Sequence, residues 1–381
     1  MPAVKRKTIL LTLITLMIIP AVFWSVYGSF FSAKNDIPNI SSANPVTSSS
    51  SENLINTGSS SAEPLTMQLP NNYLINNIKH TYQTFNNCGP AGLSMLLSYY
   101  GINEPQNTIA VEIRPYQHPQ GDNDDKSVSF EEFATYIKRF SLESIHRPSG
   151  DIDLLKTFIA NDVPVLVRAW LNPNDDIGHF RLIRGYDESK RVVIQDDSYH
   201  GSKLSLTYIE FLSMWEPFGF EYFVIFPEKD REKIESIIGS DMDINNAWNE
   251  LAARSEKGMA ANPNNPYHGF NLSVASYHLG NYQKTVESFE SVESKLPRRM
   301  LWYQIEPILG YQKTGQYNKA LAKIENILNN GNRAFSELYL VRGEIYLEQG
   351  NTAGARNEFE KAVLYNKYYI PAKTALDDLD R

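Results

Sequence analysis

Hydrophobic residues change their spacing along this chain, and the changes divide it into regions. An uncharged stretch lies near the start, between Thr8 and Ala33, and a polar segment follows it. From about residue 67, short helical patterns come first and strand patterns follow, whereas the pattern is almost wholly helical from about residue 240. Helices followed by several consecutive strands favour an α+β domain with an antiparallel sheet over a doubly wound sheet.

In the region of residues 67–235, the apolar spacing predicts three helices and four strands. The predicted helices are Cys88–Tyr100, Ser129–Phe140 and Ile152–Asn161, and the predicted strands are Val163–Leu171, His179–Tyr186, Arg191–Asp196 and Phe220–Phe226. Residues 187–190 are suited to a turn, so we expect the second and third of these strands to form a hairpin.

The apolar stretch at the start has the length of a membrane-spanning helix. Three basic residues at positions 5–7 precede it, and its most apolar part is Ile9–Tyr27. Basic flanks stay in the cytoplasm, so residues 1–33 are predicted to be a cytoplasmic start and signal anchor of a single-pass membrane protein, with the bulk of the chain extracytoplasmic. The alternative is secretion after cleavage, although Phe30–Ala33 forms a poor cleavage site. Residues 34–66, rich in Ser, Asn, Pro and Thr, are predicted to be a disordered tether.

A glycine motif recurs every 35 residues in the region of residues 240–381, at Gly280, Gly315 and Gly350. This pattern resembles the tetratricopeptide repeat, in which small residues let two antiparallel helices pack closely and glycine makes the turn between them. Such arrays bind a protein or peptide partner on their concave face. The alternative is a structural appendage that stabilises the preceding region.

Composition narrows the function further. The chain has a formal net charge of −8, which gives no electrostatic basis for a nucleic-acid partner. Cys88 is its single cysteine, so an internal disulfide is excluded.

Cys88 lies where a reactive sulfur is expected. Pro90 suits a first helical turn, and the apolar residues Leu93, Leu96 and Leu97 follow at helical spacing. A thiol at a helix N-terminus is shifted towards the thiolate by the helix dipole and by unpaired N–H groups. The alternative is a cysteine that serves as a small buried hydrophobic residue.

A cysteine nucleophile needs a base, a group that orients the base, and donors for an oxyanion. Among seven histidines, His179 opens a predicted strand directly after a polar loop, where it can face a cleft. The next predicted strand ends at Asp196 and Asp197, of which only one can face His179, since adjacent strand residues point to opposite sides. Counting along the strand favours Asp196, and Asp197 remains open. Gln83, five residues before Cys88, supplies an amide donor.

A metal site is the weaker interpretation of the same segment. His179, Asp196, Asp197 and His200 all carry donor atoms, but the placed cysteine favours nucleophilic chemistry over metal binding. Asp122–Asp125 lacks the spaced ligands and terminal glutamate of a calcium loop, so we expect a solvated loop there. No metal and no other cofactor is predicted.

Three motifs resemble a known family. Gln-x4-Cys-Gly-Pro-Ala begins at Gln83, Gly-His-Phe-Arg-Leu-Ile-Arg-Gly-Tyr-Asp at Gly178, and Ile-Gln-Asp-Asp-Ser-Tyr at Ile194. Together they resemble the peptidase-like cysteine family related to the processing domains of bacteriocin-exporting transporters, the double-glycine peptidases of the papain-like class. The resemblance covers about Tyr82 to Pro227.

The resemblance implies a papain-like fold, with a central helix against an antiparallel sheet. It implies that Cys88 is the nucleophile, His179 the base and then the acid, Asp196 or Asp197 the orienting residue, and Gln83 the oxyanion donor. Two departures limit the transfer of function. No nucleotide-binding region is evident, and Asp-Asp-Ser replaces the family's usual Asp-Pro, which leaves the third member open.

The function predicted from these features is a membrane-tethered, extracytoplasmic thiol hydrolase, a cysteine peptidase whose repeats recruit a peptide or protein substrate or a partner. Acyl transfer from the same site to an amine is an enzymatic alternative. A peptide-binding scaffold without catalysis is an alternative of a different class.

Overall fold

The computed structural model describes residues 69–116 and 128–381. The described residues belong to one compact unit. The predicted anchor and tether and the Asp122–Asp125 segment lie outside the described residues. Among the helices that are described, none is both long enough and apolar enough to cross a membrane.

Up to Pro227, the described residues form one antiparallel sheet with helices packed around it. The strands are β1 (Asn72–Leu74), β2 (Leu142–Arg147), β3 (Val165–Trp170), β4 (Gly178–Asp187), β5 (Val192–Asp197), β6 (Gly201–Thr207) and β7 (Tyr222–Pro227). The helices are α1 (Cys88–Tyr99), α2 (Gln106–Ile113), α3 (Phe130–Ile137), α4 (Ile152–Ala160) and α5 (Tyr208–Trp215). The strand order is β2-β7-β3-β4-β5-β6, and β1 also pairs with β4. The predicted α+β class is confirmed.

The central helix and the middle of the sheet form the core. Leu93, Leu96 and Leu97 of α1 are completely buried, as the apolar spacing indicated. Every residue of β3 is buried as well, which fits its place between β7 and β4 and its run of branched apolar residues. The site described below lies at one end of this packed layer, where α1 begins and where β4 begins.

The expected hairpin forms, with Asp187 of β4 opposite Val192 of β5. The strands β1, β2 and β6 were not predicted, because β1 is very short and the other two have few buried apolar residues among their polar ones. The helices α2 and α5, each of eight residues, were also not predicted.

Beyond Pro227 the described chain is helical. The helices are α6 (Arg231–Ile238), α7 (Ile244–Ala261), α8 (Pro266–His278), α9 (Tyr282–Val292), α10 (Glu306–Lys313), α11 (Tyr317–Asn329), α12 (Ser336–Glu348), α13 (Thr352–Tyr365) and α14 (Ile370–Leu379). Gly280, Gly315 and Gly350 make the turns within successive helix pairs, with φ values of +76°, +70° and +79°. These left-handed conformations favour glycine, so the structure confirms the helical repeats that the glycine spacing predicted.

Candidate active site

Helix α1 begins at Cys88, and a buried arginine from another helix supports the turn before it. The guanidinium of Arg114, which follows α2, donates to the Asn86 carbonyl at 2.5 Å and to the side chain of Asn87. Asn86 has a φ of +56°, which asparagine tolerates better than most residues. Arg114 therefore holds the chain in the bend that brings Cys88 to the start of the helix.

The surroundings of the Cys88 sulfur favour a thiolate. Burial raises the pKa of the thiol, but the hydrogen bond with His179 and the charge of His179 act in the opposite direction. The backbone N–H of Phe180 also donates to the sulfur, and the charge of Arg114 adds a smaller effect, so the net pKa of Cys88 is lowered. The residue as a whole is half-buried.

His179 lies between Cys88 and Asp197. The residue is only 2% exposed, and its Nε2 is 2.9 Å from Oδ1 of Asp197. Burial lowers the pKa of the imidazole, but the hydrogen bonds with Asp197 and with Cys88 outweigh it, so the net pKa of His179 is raised. Because Nε2 is hydrogen-bonded to the carboxylate, Nδ1 is the ring nitrogen that forms the hydrogen bond with the Cys88 sulfur.

Asp197 is completely buried, and donors surround its carboxylate. Besides His179, Oδ1 accepts the backbone N–H groups of Tyr199 at 2.8 Å and of His200 at 3.0 Å. Oδ2 accepts from Arg181 at 2.5 Å. Burial raises the pKa of Asp197, but the hydrogen bond and charge of His179 and the charge of Arg181 together hold it well below its usual range. The carboxylate therefore stays ionised beside the imidazole.

Asp196 takes a different position from the one that strand counting favoured. Its Oδ2 lies 2.5 Å from Nη1 of Arg184, and its Oδ1 accepts the backbone N–H of Lys203 at 2.8 Å. The structure thus places Asp197, and not Asp196, beside His179. Both partner strands have register irregularities here, between Ile183 and Gly185 on β4 and after Gln195 on β5. Counting along an ideal strand fails where such irregularities intervene.

Gln83 is tied to the residue directly after Asp197. Its backbone N–H donates to the Ser198 carbonyl at 2.8 Å, and the Ser198 hydroxyl donates to Gln83 Oε1 at 2.8 Å. Because Oε1 is held in this way, Nε2 is the end of the amide that is available to donate to a ligand.

Three further residues complete the surroundings and were not found from the sequence. Arg181 bridges Asp197 and the carbonyl of Leu171, to which its Nη2 donates at 2.5 Å. It lies two positions after His179, and this shared strand face was the signal that would have revealed it. His80 contacts the backbone carbonyl of Asp197 at 3.0 Å. No pattern near Cys88 in the sequence indicates Arg114, because this residue lies in a separate segment, directly after α2.

The donor atoms near Asp197 are engaged with one another. Nδ1 of His200 lies 3.1 Å from Oδ2 of Asp197, while Asp196 pairs with Arg184. Within residues 69–116 and 128–381, no group of three His, Cys, Asp or Glu side chains has the arrangement of a metal site.

Comparison with known proteins supports the resemblance seen in the motifs. Residues 75–223 match the model of the Peptidase_C39 like family. This match spans Cys88, His179 and both aspartates, and it confirms the resemblance of this region to that family. No curated protein matches the chain.

Similar solved structures fall into two groups. A putative C39-like peptidase from Bacillus anthracis is 16% identical, with 41% of this chain and 98% of that chain covered and a TM-score of 0.34. A double glycine motif protease from an AMS/PCAT transporter, in complex with the leader peptide, is 16% identical, with 41% and 94% covered and a TM-score of 0.30. A thermophilic TPR protein from Thermus thermophilus is 18% identical, with 38% and 86% covered and a TM-score of 0.29.

Proposed function

We propose that this protein is a thiol hydrolase, a cysteine peptidase that acts on a peptide or protein. The observation that carries the proposal is the continuous series of contacts from Cys88 through His179 to Asp197. The pKa of the sulfur is lowered and that of the imidazole is raised, which favours a thiolate and imidazolium pair over two neutral groups. Such a pair is an activated nucleophile with its acid already in place.

The reaction follows from this pair. The Cys88 thiolate attacks the carbonyl carbon of the scissile amide, and the electron pair of the C=O bond moves to oxygen. Gln83 Nε2 and the Cys88 backbone N–H, which has no intrahelical partner at the helix start, donate to the oxyanion. The imidazolium of His179 gives its proton to the leaving amine as the C–N bond breaks. His179 then takes a proton from water, which attacks the thioester, releases the acid and regenerates the thiolate.

Exposed apolar side chains next to the site support a peptide substrate. Tyr82 is 65% exposed and Tyr199 60% exposed, and they adjoin Gln83 and the aspartates respectively. Phe85 lies three residues before Cys88 and is 49% exposed. We propose that these exposed aromatic side chains contact apolar side chains of the substrate.

The location and the partner are part of the same proposal. The basic start and the apolar stretch of residues 1–33 support a signal anchor, with the hydrolase held outside the cytoplasm by the tether. The helical repeats support recruitment of a protein substrate or partner. Mass spectrometry of the membrane fraction tests the anchor: peptides that precede Ala33 are expected on the mature chain, and a mature chain that begins after this residue would instead indicate secretion.

The test of the hydrolase is alkylation of Cys88 across a range of pH. The chain has a single cysteine, so the rate of labelling of the full-length protein reports that thiol directly. An unperturbed thiol has a pKa of about 8.5. We expect the folded protein to keep labelling at a lower pH than a free thiol does, with the rate falling only as the pH drops through the lowered pKa of Cys88. The same chain unfolded in guanidinium chloride provides the free-thiol profile for comparison.

The pH dependence of peptide turnover should reflect the protonation of the same Cys88 and His179 pair. Activity requires ionised Cys88 and protonated His179, so it should rise with pH through the lowered thiol pKa and fall through the raised imidazole pKa. Cys88→Ala and His179→Ala should both abolish turnover, whereas His278→Gln, in the repeats, should leave it unchanged. A free-thiol labelling profile, together with no turnover that depends on Cys88, would refute the proposal and leave the peptide-binding scaffold.

A further inference from the structure

The second repeat departs from the period of its neighbours. Helices α8 and α12 each have 13 residues. One 35-residue period after α8, and one period before α12, the equivalent helix would span residues 301–313. Only Glu306–Lys313 of this range is α-helical. Of the five residues that would complete the helix, Leu301 and Trp302 belong to a short 3-10 turn at Met300–Trp302, and residues 303–305 are not helical. The chain is thus unwound at one place in an otherwise regular array.

The unwound residues contact the loop that precedes His179. The Tyr303 hydroxyl donates to the Asp176 carbonyl at 3.3 Å and accepts the backbone N–H of Gly178. Arg299, just before this segment, forms an ion pair of 2.6 Å with the side chain of Asp176. Three polar contacts from the repeat region therefore fix the two ends of Asp176–Gly178.

Glycine at position 178 permits this approach. A Cβ atom there would lie 2.7 Å from Cε1 of Tyr303, closer than side chains pack. The Tyr303 ring also lies 5.7 Å from the rings of Trp170 and Phe218, both completely buried. The backbone carbonyl of Tyr303 accepts a hydrogen bond from Arg168 at 3.3 Å. The ring is therefore held firmly by the sheet region, and it is not a side chain that rests loosely on its surface.

Tyr303 also lies within electrostatic range of the nucleophile. Burial raises the pKa of Tyr303 to about 12, and the charge of Cys88 contributes to the rise. The hydroxyl consequently stays protonated wherever the thiolate and imidazolium pair exists, and it can keep both of its hydrogen bonds through that range.

We propose that Tyr303 is a positioning residue of the thiol site, supplied by the repeat region. By holding Gly178 it fixes the backbone of His179, and so keeps the imidazole aligned with both Cys88 and Asp197. The site on the sheet is incomplete without the unwound turn of the second repeat. The inference rests on the proposed function, because alignment of His179 matters only if Cys88 and His179 act together.

The test compares the full-length wild type with Tyr303→Phe, which keeps the ring and removes both hydrogen bonds. We expect the pH profile of Cys88 alkylation to move towards that of a free thiol. For a shift of one pKa unit, labelling should be slower by about tenfold at a pH below the thiol pKa of both proteins. The turnover number should fall by a similar factor with KM unchanged, since a small displacement of a catalytic group affects the chemical step.

Tyr311→Phe is the matched control. Tyr311 is buried in the same repeat, and its hydroxyl donates to Glu290 at 3.0 Å, away from the sheet. The Tyr311→Phe variant should lower the melting temperature, as Tyr303→Phe does, but it should leave the alkylation profile of Cys88 unchanged. If Tyr303→Phe does not fold, Arg299→Gln removes the partly exposed ion pair with Asp176 and should shift the profile in the same direction by less.

The outcomes separate the two proposals. A wild type with a low-pKa thiol and a folded Tyr303→Phe with the same profile would overturn the positioning role alone. A wild type that labels as a free thiol would overturn the hydrolase proposal and the positioning role with it. A shifted profile in Tyr303→Phe, beside an unshifted Tyr311→Phe, supports the inference.

Discussion

The most deeply buried ion pairs among the described residues lie in the sheet region, whereas most ion pairs of the repeats stay closer to water. Arg184 is 1% exposed and its partner Asp196 is completely buried. In the repeats, the side chains of Lys319 and Glu290 form an ion pair while 51% and 40% exposed. The repeats are held instead by small residues placed under large ones, as where Gly343 packs against Phe359.

The difference in ion-pair burial reflects what each region has to hold in place. A buried ion pair contributes little net stability, because desolvation offsets the attraction, but it tolerates few alternative arrangements. Such pairs suit a site in which side chains from α1, β4 and β5 must meet. Helical repeats need only to stack one unit on the next, and close apolar packing at a fixed period does most of this.

The largest expected effect is on turnover, from Asp197→Asn. The amide cannot stabilise the imidazolium of His179, so the rate should fall by at least about a hundredfold. Loss of the charge should also lower the pKa of His179 and move the Cys88 alkylation profile to higher pH. Activity measured across pH, with Asp196→Asn as the matched variant, checks this. Equal and small losses from both variants would show that neither aspartate orients the histidine.

Asp196→Asn should act mainly on stability. It leaves the buried guanidinium of Arg184 without its counter-charge, which costs about 3–5 kcal/mol of unfolding free energy. The folded fraction should still give the wild-type profile of Cys88 alkylation. Chemical denaturation, followed by labelling under native conditions, measures both quantities. An Asp196→Asn protein as stable as the wild type would show that buried Arg184 does not need its counter-charge.

A smaller effect is expected in the repeats from Gly343→Ala. The new methyl group would collide with the ring of Phe359, and overpacking of this kind costs about 1–3 kcal/mol. Thermal unfolding should show the loss, and Phe359→Leu in the same chain should recover part of it by making room. Alkylation of Cys88 should be unaffected. A fully stable Gly343→Ala would mean that the helix pair can separate at little cost.

Much of the fold could be predicted because its determinants are local. Pro90 and the apolar spacing after it specify helix α1 and so place Cys88 at a helix start. The hairpin follows from the polar turn at 187–190, and the helix pairs follow from glycines at a constant period. The strands β1, β2 and β6 were missed because their formation depends on a neighbour already present in the sheet, which a local pattern does not record.

The sequence by itself determined the class of fold, the helix that carries Cys88 and the strand that begins with His179. Only the tertiary structure decided which of two adjacent aspartates faces the histidine, because side-chain direction there depends on irregular register between strands. It also decided that Arg114 lies behind the nucleophile and that Tyr303 reaches Gly178, more than a hundred residues away. Contacts between segments far apart in the chain arise from packing, and no local spacing encodes them.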